Sequence, residues 1–185
     1  MLNVNGFVYD SSLLVNQSKF NSIPRAHFWP FKMTDEILDD LDCQDKCPND
    51  TYEGLWEVPG SRLFLNDKDK LGCPFLDQCF EGSLSSKNVV DLLNYNFDEV
   101  YKDNRAPFQI NLRERHLGST EMKQGIQDFI SYFYKNKDVW FITMKDMMQW
   151  VKNPIENSHL TKGYWICQFN DKIKCSEVRT TITDQ

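Results

Sequence analysis

The chain has no cluster of lysine and arginine and no long apolar run. It contains only three histidines, and none of the short phosphate-binding or nucleophile motifs. Each of these absences excludes a class of function. The formal charge of −6 comes from carboxylates spread along all 185 residues, and the pI is near 5.1. With no basic block to neutralise phosphates or anionic headgroups, nucleic acid and anionic membrane surfaces are excluded as partners. No stretch approaches the roughly 20 apolar residues of a membrane helix. Gly-x-Gly-x-x-Gly and the P-loop are missing, as are Gly-x-Ser-x-Gly and a Cys-Gly-x-Cys-Trp nucleophile segment, so nothing points to a nucleotide enzyme or to a serine or cysteine hydrolase. His27, His116 and His159 stand in three separate contexts, none at the i, i+4 spacing that sets two imidazoles on one helix face. A metal site needs two or three close ligands, and the chain by itself offers none.

What is present is a globular composition of 26% charged and 14% aromatic residues, with a mean hydropathy of −0.55. The length suits one core but falls short of the roughly 250 residues of a complete α/β barrel. Six cysteines form three close pairs, Cys43 with Cys47, Cys73 with Cys79 and Cys167 with Cys175. The spacing suggests local disulfides and misses the two-residue knuckle of zinc sites, although six cysteines allow 15 connectivities. Asn16 and Asn49 open N-glycosylation tripeptides in polar settings. Together with paired cysteines they favour an extracellular product. The opening Met1 to Gly6 has neither the charged region nor the apolar stretch of a signal peptide, so the start is expected to be missing if the protein is secreted.

Along the chain, Gly6 to Ser12 reads as a strand ended by Asp10, and Leu55 to Val58 as a short strand stopped by Pro59 and Gly60. Asn16 to Pro59 is otherwise loop, and a charged loop covers Asn66 to Lys70. Val89, Val90, Leu93, Phe97 and Val100 recur at helical spacing and predict a helix from about Lys87 to Lys102. Ala106 to Leu112 reads as a strand. Ser119 caps a second helix carrying Met122, Ile126, Phe129, Ile130 and Phe133 on one stripe. Val139 to Thr143 reads as a strand buried on both faces, and Lys145 to Lys152 as a helix ending before Pro154. This alternation predicts an α/β fold with parallel strands.

The ordered set Gly6-Phe7-Val8-Tyr9-Asp10-Ser11-Ser12, Trp29-Pro30-Phe31, Cys43 to Cys47, Gly54-Leu55-Trp56-Glu57-Val58-Pro59, Cys73 to Cys79, Asn104-Arg105-Ala106-Pro107-Phe108, Asp138 to Thr143, Gln149-Trp150 and Trp165-x-Cys167 resembles animal chitin deacetylases of the polysaccharide deacetylase superfamily, the family-four carbohydrate esterases. The resemblance implies the C-terminal half of a distorted (β/α) barrel over residues 1–155, with a cysteine-containing extension over 156–185. It also implies a secreted, extracellular-matrix setting and chitin or a related N-acetylated glycan as partner. In the full-length family a zinc-bound water attacks the N-acetyl group, an aspartate acts as base and a late histidine as acid. The Thr-Phe-Asp-Asp and His-x-x-x-His motifs that supply base and ligands lie upstream of the strand ending at Asp10 and do not occur in this sequence, so no cofactor is expected in this chain. Arg105-Ala106-Pro107-Phe108 imitates the family's Arg-x-Pro motif but leads instead into its last catalytic motif, where the acid histidine aligns with Arg113.

An arginine does not give up its proton near neutral pH and cannot protonate a leaving amine. His116 stands three residues on, and the alternation of a strand predicts that it faces away from Arg113. Arg113 and Trp56 are the candidate glycan-lining residues, with Trp29 a further aromatic and core burial the competing fate of Trp56. Asp10 reads as a turn-forming residue. Two functions follow as expectations. In the first, the chain is a chitin deacetylase-like matrix component, inactive by itself; in the second, it is part of an active zinc-dependent deacetylase. Oligomeric state is not legible.

Overall fold

In a computed structural model of the chain, residues 6–18, 27–34, 41–43, 52–80, 82 and 84–160 are described. Two compact units follow one another along the chain, Met1–Lys135 and Asn136–Gln185.

Among the described residues the first unit holds five short strands: β1 (Tyr9–Asp10), β2 (Val15–Ser18), β3 (Phe31–Lys32), β4 (Leu41–Cys43) and β5 (Trp56–Glu57). Three of them form a sheet of order β1-β5-β3, in which β1 runs parallel to β5 and β3 antiparallel to it. β2 and β4 pair antiparallel. The parallel pairing extends beyond the strands proper: Trp56 N–H donates to Val8 C=O, Val58 N–H to Asp10 C=O and Gly60 N–H to Leu13 C=O. Leu14 and Gly60 then meet in a parallel bridge. Both strands expected here therefore form, and their ordering by parallel pairing agrees with an α/β fold.

The described residues of this unit also form two α-helices, α1 (Ser86–Lys102) and α2 (Thr120–Phe133). Each begins where a serine hydroxyl can satisfy an otherwise unpaired first-turn amide. Ser85 Oγ accepts from Asn88 N–H, and Ser119 Oγ from Met122 N–H. Val89, Leu93, Phe97 and Val100 on α1 are buried, as are Met122, Phe129 and Phe133 on α2. The rings of Phe97 and Phe133 lie 4.3 Å apart, and Phe108 adds a third edge, 5.7 Å from Phe97. Ile130, expected on the same stripe, lies at its exposed margin. The helices approach most closely at Gly125, where a Cβ would stand 2.5 Å from Val89 Cβ and 2.8 Å from Ser86 C=O. Gly125→Ala is expected to destabilise by about 2 kcal/mol, because overpacking outweighs the better helix propensity of alanine. Removing the opposing Cβ as well, in Val89→Gly/Gly125→Ala, should make the two losses less than additive in a thermal or urea melt; strict additivity of the two changes would contradict the contact.

The residues between the helices correct one expectation. Ala106 to Leu112 joins no ladder with any described residue, and part of its backbone is committed elsewhere. Pro107 has no N–H to give, Ala106 N–H donates to the Asn104 side chain, and Asn111 C=O accepts from Leu76 N–H. Arg105, at φ 57, closes α1 with its N–H on Val100 C=O, and its guanidinium lies 4.4 Å from the Tyr101 ring.

The second unit contains α3 (Met144–Lys152), capped by the Thr143 hydroxyl on Asp146 N–H. Val139 to Thr143 corrects the other expectation: no described strand pairs with it, and Phe141 is 45% exposed. A strand buried on both faces needs neighbours on both edges. Here the polar groups are satisfied locally instead, with Trp140 Nε1–H on Asn157 Oδ1 and Asn157 Nδ2–H on Asp138 Oδ1. No helix among the described residues is long and apolar enough to cross a membrane.

Candidate functional site

The site is built around Asp77, which lies in a short 3-10 turn, Leu76–Cys79, inside the loop closed by the Cys73–Cys79 disulfide. This bond is one of the three expected pairs; Cys43 to Cys47 and Cys167 to Cys175 lie outside the described side chains, as do the Asn16 and Asn49 side chains. The Asp77 carboxylate is fully buried. It accepts from Arg113 Nε at 2.8 Å and from Arg113 Nη2, while Arg113 N–H donates to its other oxygen at 3.3 Å. Both guanidinium nitrogens thus converge on one carboxylate oxygen, Oδ2, in charge-assisted hydrogen bonds, and the backbone amide holds the other. Arg113 is about one-third exposed, and its guanidinium lies 5.7 Å from the ring of Phe75.

His116 belongs to the same group. Its Nε2 stands 3.1 Å from Asp77 Oδ2, which overturns the expectation that it faces away from Arg113. The physical reason is that Glu114–Gly118 forms a 3-10 turn rather than a strand. In such a turn residues i and i+3 eclipse, whereas a strand would set them on opposite faces. Arg115 Nε–H also reaches His116 Nε2 at 2.9 Å. A ring nitrogen cannot accept from Arg115 and donate to Asp77 at once. The buried carboxylate is the stronger partner, so Nε2 is best assigned its proton toward Asp77.

Burial alone would raise the Asp77 pKa, but the hydrogen bonds and charge of Arg113, helped by His116, outweigh it and hold the carboxyl below its ordinary range. Asp77 therefore stays ionised, and Arg113 and His116 both face it. Metal chemistry does not fit this arrangement. Two potential ligands, Asp77 and His116, face a guanidinium that already occupies the carboxylate, and no group of three or more His, Cys, Asp or Glu side chains among the described residues could hold an ion.

A second carboxylate lies at the β1–β5 pair. Glu57 is completely buried and sits in register with Asp10 on the neighbouring strand. Its Oε1 accepts from Leu13 N–H at 3.0 Å, while Oε2 has no partner. Burial first, and then the nearby charge of Asp10, push its pKa from 4.5 up to about 7 against the opposing pull of the Leu13 amide. Asp10 itself ends β1 and takes a hydrogen bond from the Ser12 hydroxyl. Trp56 is half-buried with Lys32 Nζ 5.8 Å from its ring. Trp29 is 37% exposed, and its indole N–H donates to Asn104 C=O. His27 and His159 take no part in either cluster.

Sequence reasoning singled out Arg113 and His116 but not the carboxylate that unites them. The available signal was an acid inside a cystine-closed apolar loop, Phe75-Leu76-Asp77. Glu57 was overlooked for the same reason, as a lone acid between Trp56 and Val58.

No protein-family model matches the chain. Among curated proteins it is 28% identical over 161 residues to chitin deacetylase 1 of Bombyx mori, covering 83% of this chain and 29% of the relative. It is 25% identical over 130 residues to chitin deacetylase 8 of the same organism, covering 69% of this chain and 33% of the relative. The chain thus spans about a third of the length of the curated relatives it matches.

Proposed function

We propose that this chain, which is chitin deacetylase-like in sequence over most of its length, forms part of an extracellular protein that engages chitin or a related N-acetylated glycan and that these residues do not deacetylate it by themselves. The observation that carries the reading is the Arg113–Asp77 fork. By resemblance, Arg113 occupies the position of the family's acid histidine, and a permanently protonated guanidinium tied to a buried carboxylate has no proton to deliver. It does offer fixed donors to sugar hydroxyls, beside the exposed ring of Phe75. A barrel-type scaffold is the proposed architecture. The parallel β1–β5 pair supports it, as does Asn111, whose Nδ2 lies 3.8 Å from where a Gly60 Cβ would stand, so that the residues leading to Arg113 run beside the end of β5.

A second reading has one observation in its favour. His116 shares the Asp77 carboxylate, and a carboxylate-oriented imidazole is suited to general acid catalysis. In that reading the chain is part of an active zinc-dependent deacetylase whose metal ligands come from residues other than those described here, and His116 replaces the family acid.

Retention on chitin and acetate release from chitin oligomers separate the two readings. The chain is expected to be retained on chitin without releasing acetate. In a chimera carrying the zinc-binding motifs of an active relative, turnover should remain low, because the missing acid is worth roughly 10²- to 10⁴-fold. Arg113→His should then raise kcat more than it changes KM. A fast chimera silenced by His116→Ala would establish the second reading instead.

A further inference from the structure

A cavity of about 400 Å³ lies apart from the β1–β5 pair, lined by residues between Leu65 and Asn88. Three pieces of chain enclose it: the 65–72 turn, the Cys73–Cys79 disulfide with Phe80 following it, and the first turn of α1. All three are held in place by contacts independent of any ligand. Asp69 Oδ1 accepts from Leu71 N–H and Gly72 N–H, and its Oδ2 accepts from Leu65 N–H. Asn96 clamps Phe64, and Tyr95 donates its hydroxyl to Asp67 at 2.5 Å. A cavity fixed in this way loses little entropy on filling.

Its chemistry selects the occupant. Among the described residues Asp69 is the only charged one in the lining, and its two oxygens are met by three backbone amides. Gln78 and Asn88 also line it, and their carboxamides have no hydrogen-bond partner among the described residues. A carboxamide both donates and accepts, and so matches hydroxyl or acetamido groups in either sense. Phe80 and Leu65 add apolar surface of the kind that packs against the C–H face of a sugar ring. The volume lies within the roughly 300–1,000 Å³ common for small-molecule sites. Gln78 adjoins Asp77 in the Leu76–Cys79 turn, so this cavity and the Arg113 cluster share one element.

We propose that this cavity is a saccharide subsite that takes one or two residues of an N-acetylated glycan through the carboxamides of Gln78 and Asn88. The proposal rests on the glycan reading above and adds to it a second point of contact, joined to the Arg113 cluster through the Leu76–Cys79 turn.

The test uses the whole chain, N,N′-diacetylchitobiose as probe, cellobiose as control, and the double variant Gln78→Ala/Asn88→Ala, whose changed side chains are exposed. Calorimetric titration should show binding of diacetylchitobiose by the wild-type chain. Binding by the double variant should be weaker by roughly ten-fold or more, as expected for two lost hydrogen bonds, with an unchanged melting temperature. Equal binding by the two proteins would overturn the subsite. Should both also be retained equally on insoluble chitin, the glycan reading survives and the subsite alone fails. A wild-type chain that binds neither oligomer nor polymer overturns both. Equal affinity for cellobiose would overturn the choice of an N-acetylated ligand.

Discussion

Asn96→Ala is expected to lower the free energy of unfolding by about 4 kcal/mol, because two buried backbone groups lose their hydrogen bonds to the Asn96 carboxamide at roughly 1–3 kcal/mol each. Asn96 is buried on the inner face of α1, where an amide would ordinarily be unwelcome. Its Oδ1 accepts from Phe64 N–H at 2.7 Å, and its Nδ2 donates to Phe64 C=O at 2.9 Å and to Leu92 C=O at 2.8 Å. The side chain thus replaces a strand neighbour for Phe64, and alanine removes that neighbour from both main-chain groups. Urea denaturation measures the loss, and hydrogen exchange at the Phe64 amide should accelerate in the variant. A loss below about 1 kcal/mol would mean that water reaches Phe64 and that the clamp is dispensable.

Glu57 should make stability fall as pH rises. The folded carboxyl titrates near 7 and the unfolded one near its ordinary 4.5, so between those values the folded chain binds more protons. The contribution of Glu57 is fully present below the unfolded pKa, is lost as pH rises through the folded pKa and changes little beyond it. The full difference amounts to on the order of 3 kcal/mol. Asp77, with its depressed pKa, works in the opposite sense at lower pH, so the wild-type profile alone would mix the two. The difference between Glu57→Gln and wild type isolates Glu57. Relative to wild type, the variant should gain stability from about pH 5 to about pH 8.5 by an amount approaching that figure. A difference that does not change with pH would show that Glu57 ionises alike in the folded and unfolded chain.

The helices were legible in the sequence because their determinants are local. The 3.6-residue spacing of Val89, Leu93, Phe97 and Val100 and the hydroxyls of Ser85 and Ser119 act within a turn or two of themselves. The strands were legible only where a partner existed. Leu55 to Val58 found β1 and β3, whereas Ala106 to Leu112 gives its first amide to Asn104 and its Asn111 carbonyl to Leu76. Alternation states a preference for a pleated surface; it does not supply the neighbouring strand. The same limit governed the site. Arg113 and His116 are visible as residues, but their relation depends on whether Glu114–Gly118 is extended or turned. Their common acceptor, Asp77, comes from 36 residues away.

That common acceptor has a consequence for how this group can be dissected. Arg113 and His116 do not hold separate contacts that could be removed one at a time, since both act on Asp77 Oδ2. Removing Arg113 leaves His116 facing the carboxylate, and removing His116 leaves Arg113 on it. Single substitutions will therefore each understate the pair, and substitution of Asp77 will exceed either. Only a double-mutant cycle across Arg113 and His116, repeated with Asp77 replaced by asparagine, can assign the energy, and its coupling term should vanish once the shared charge is gone.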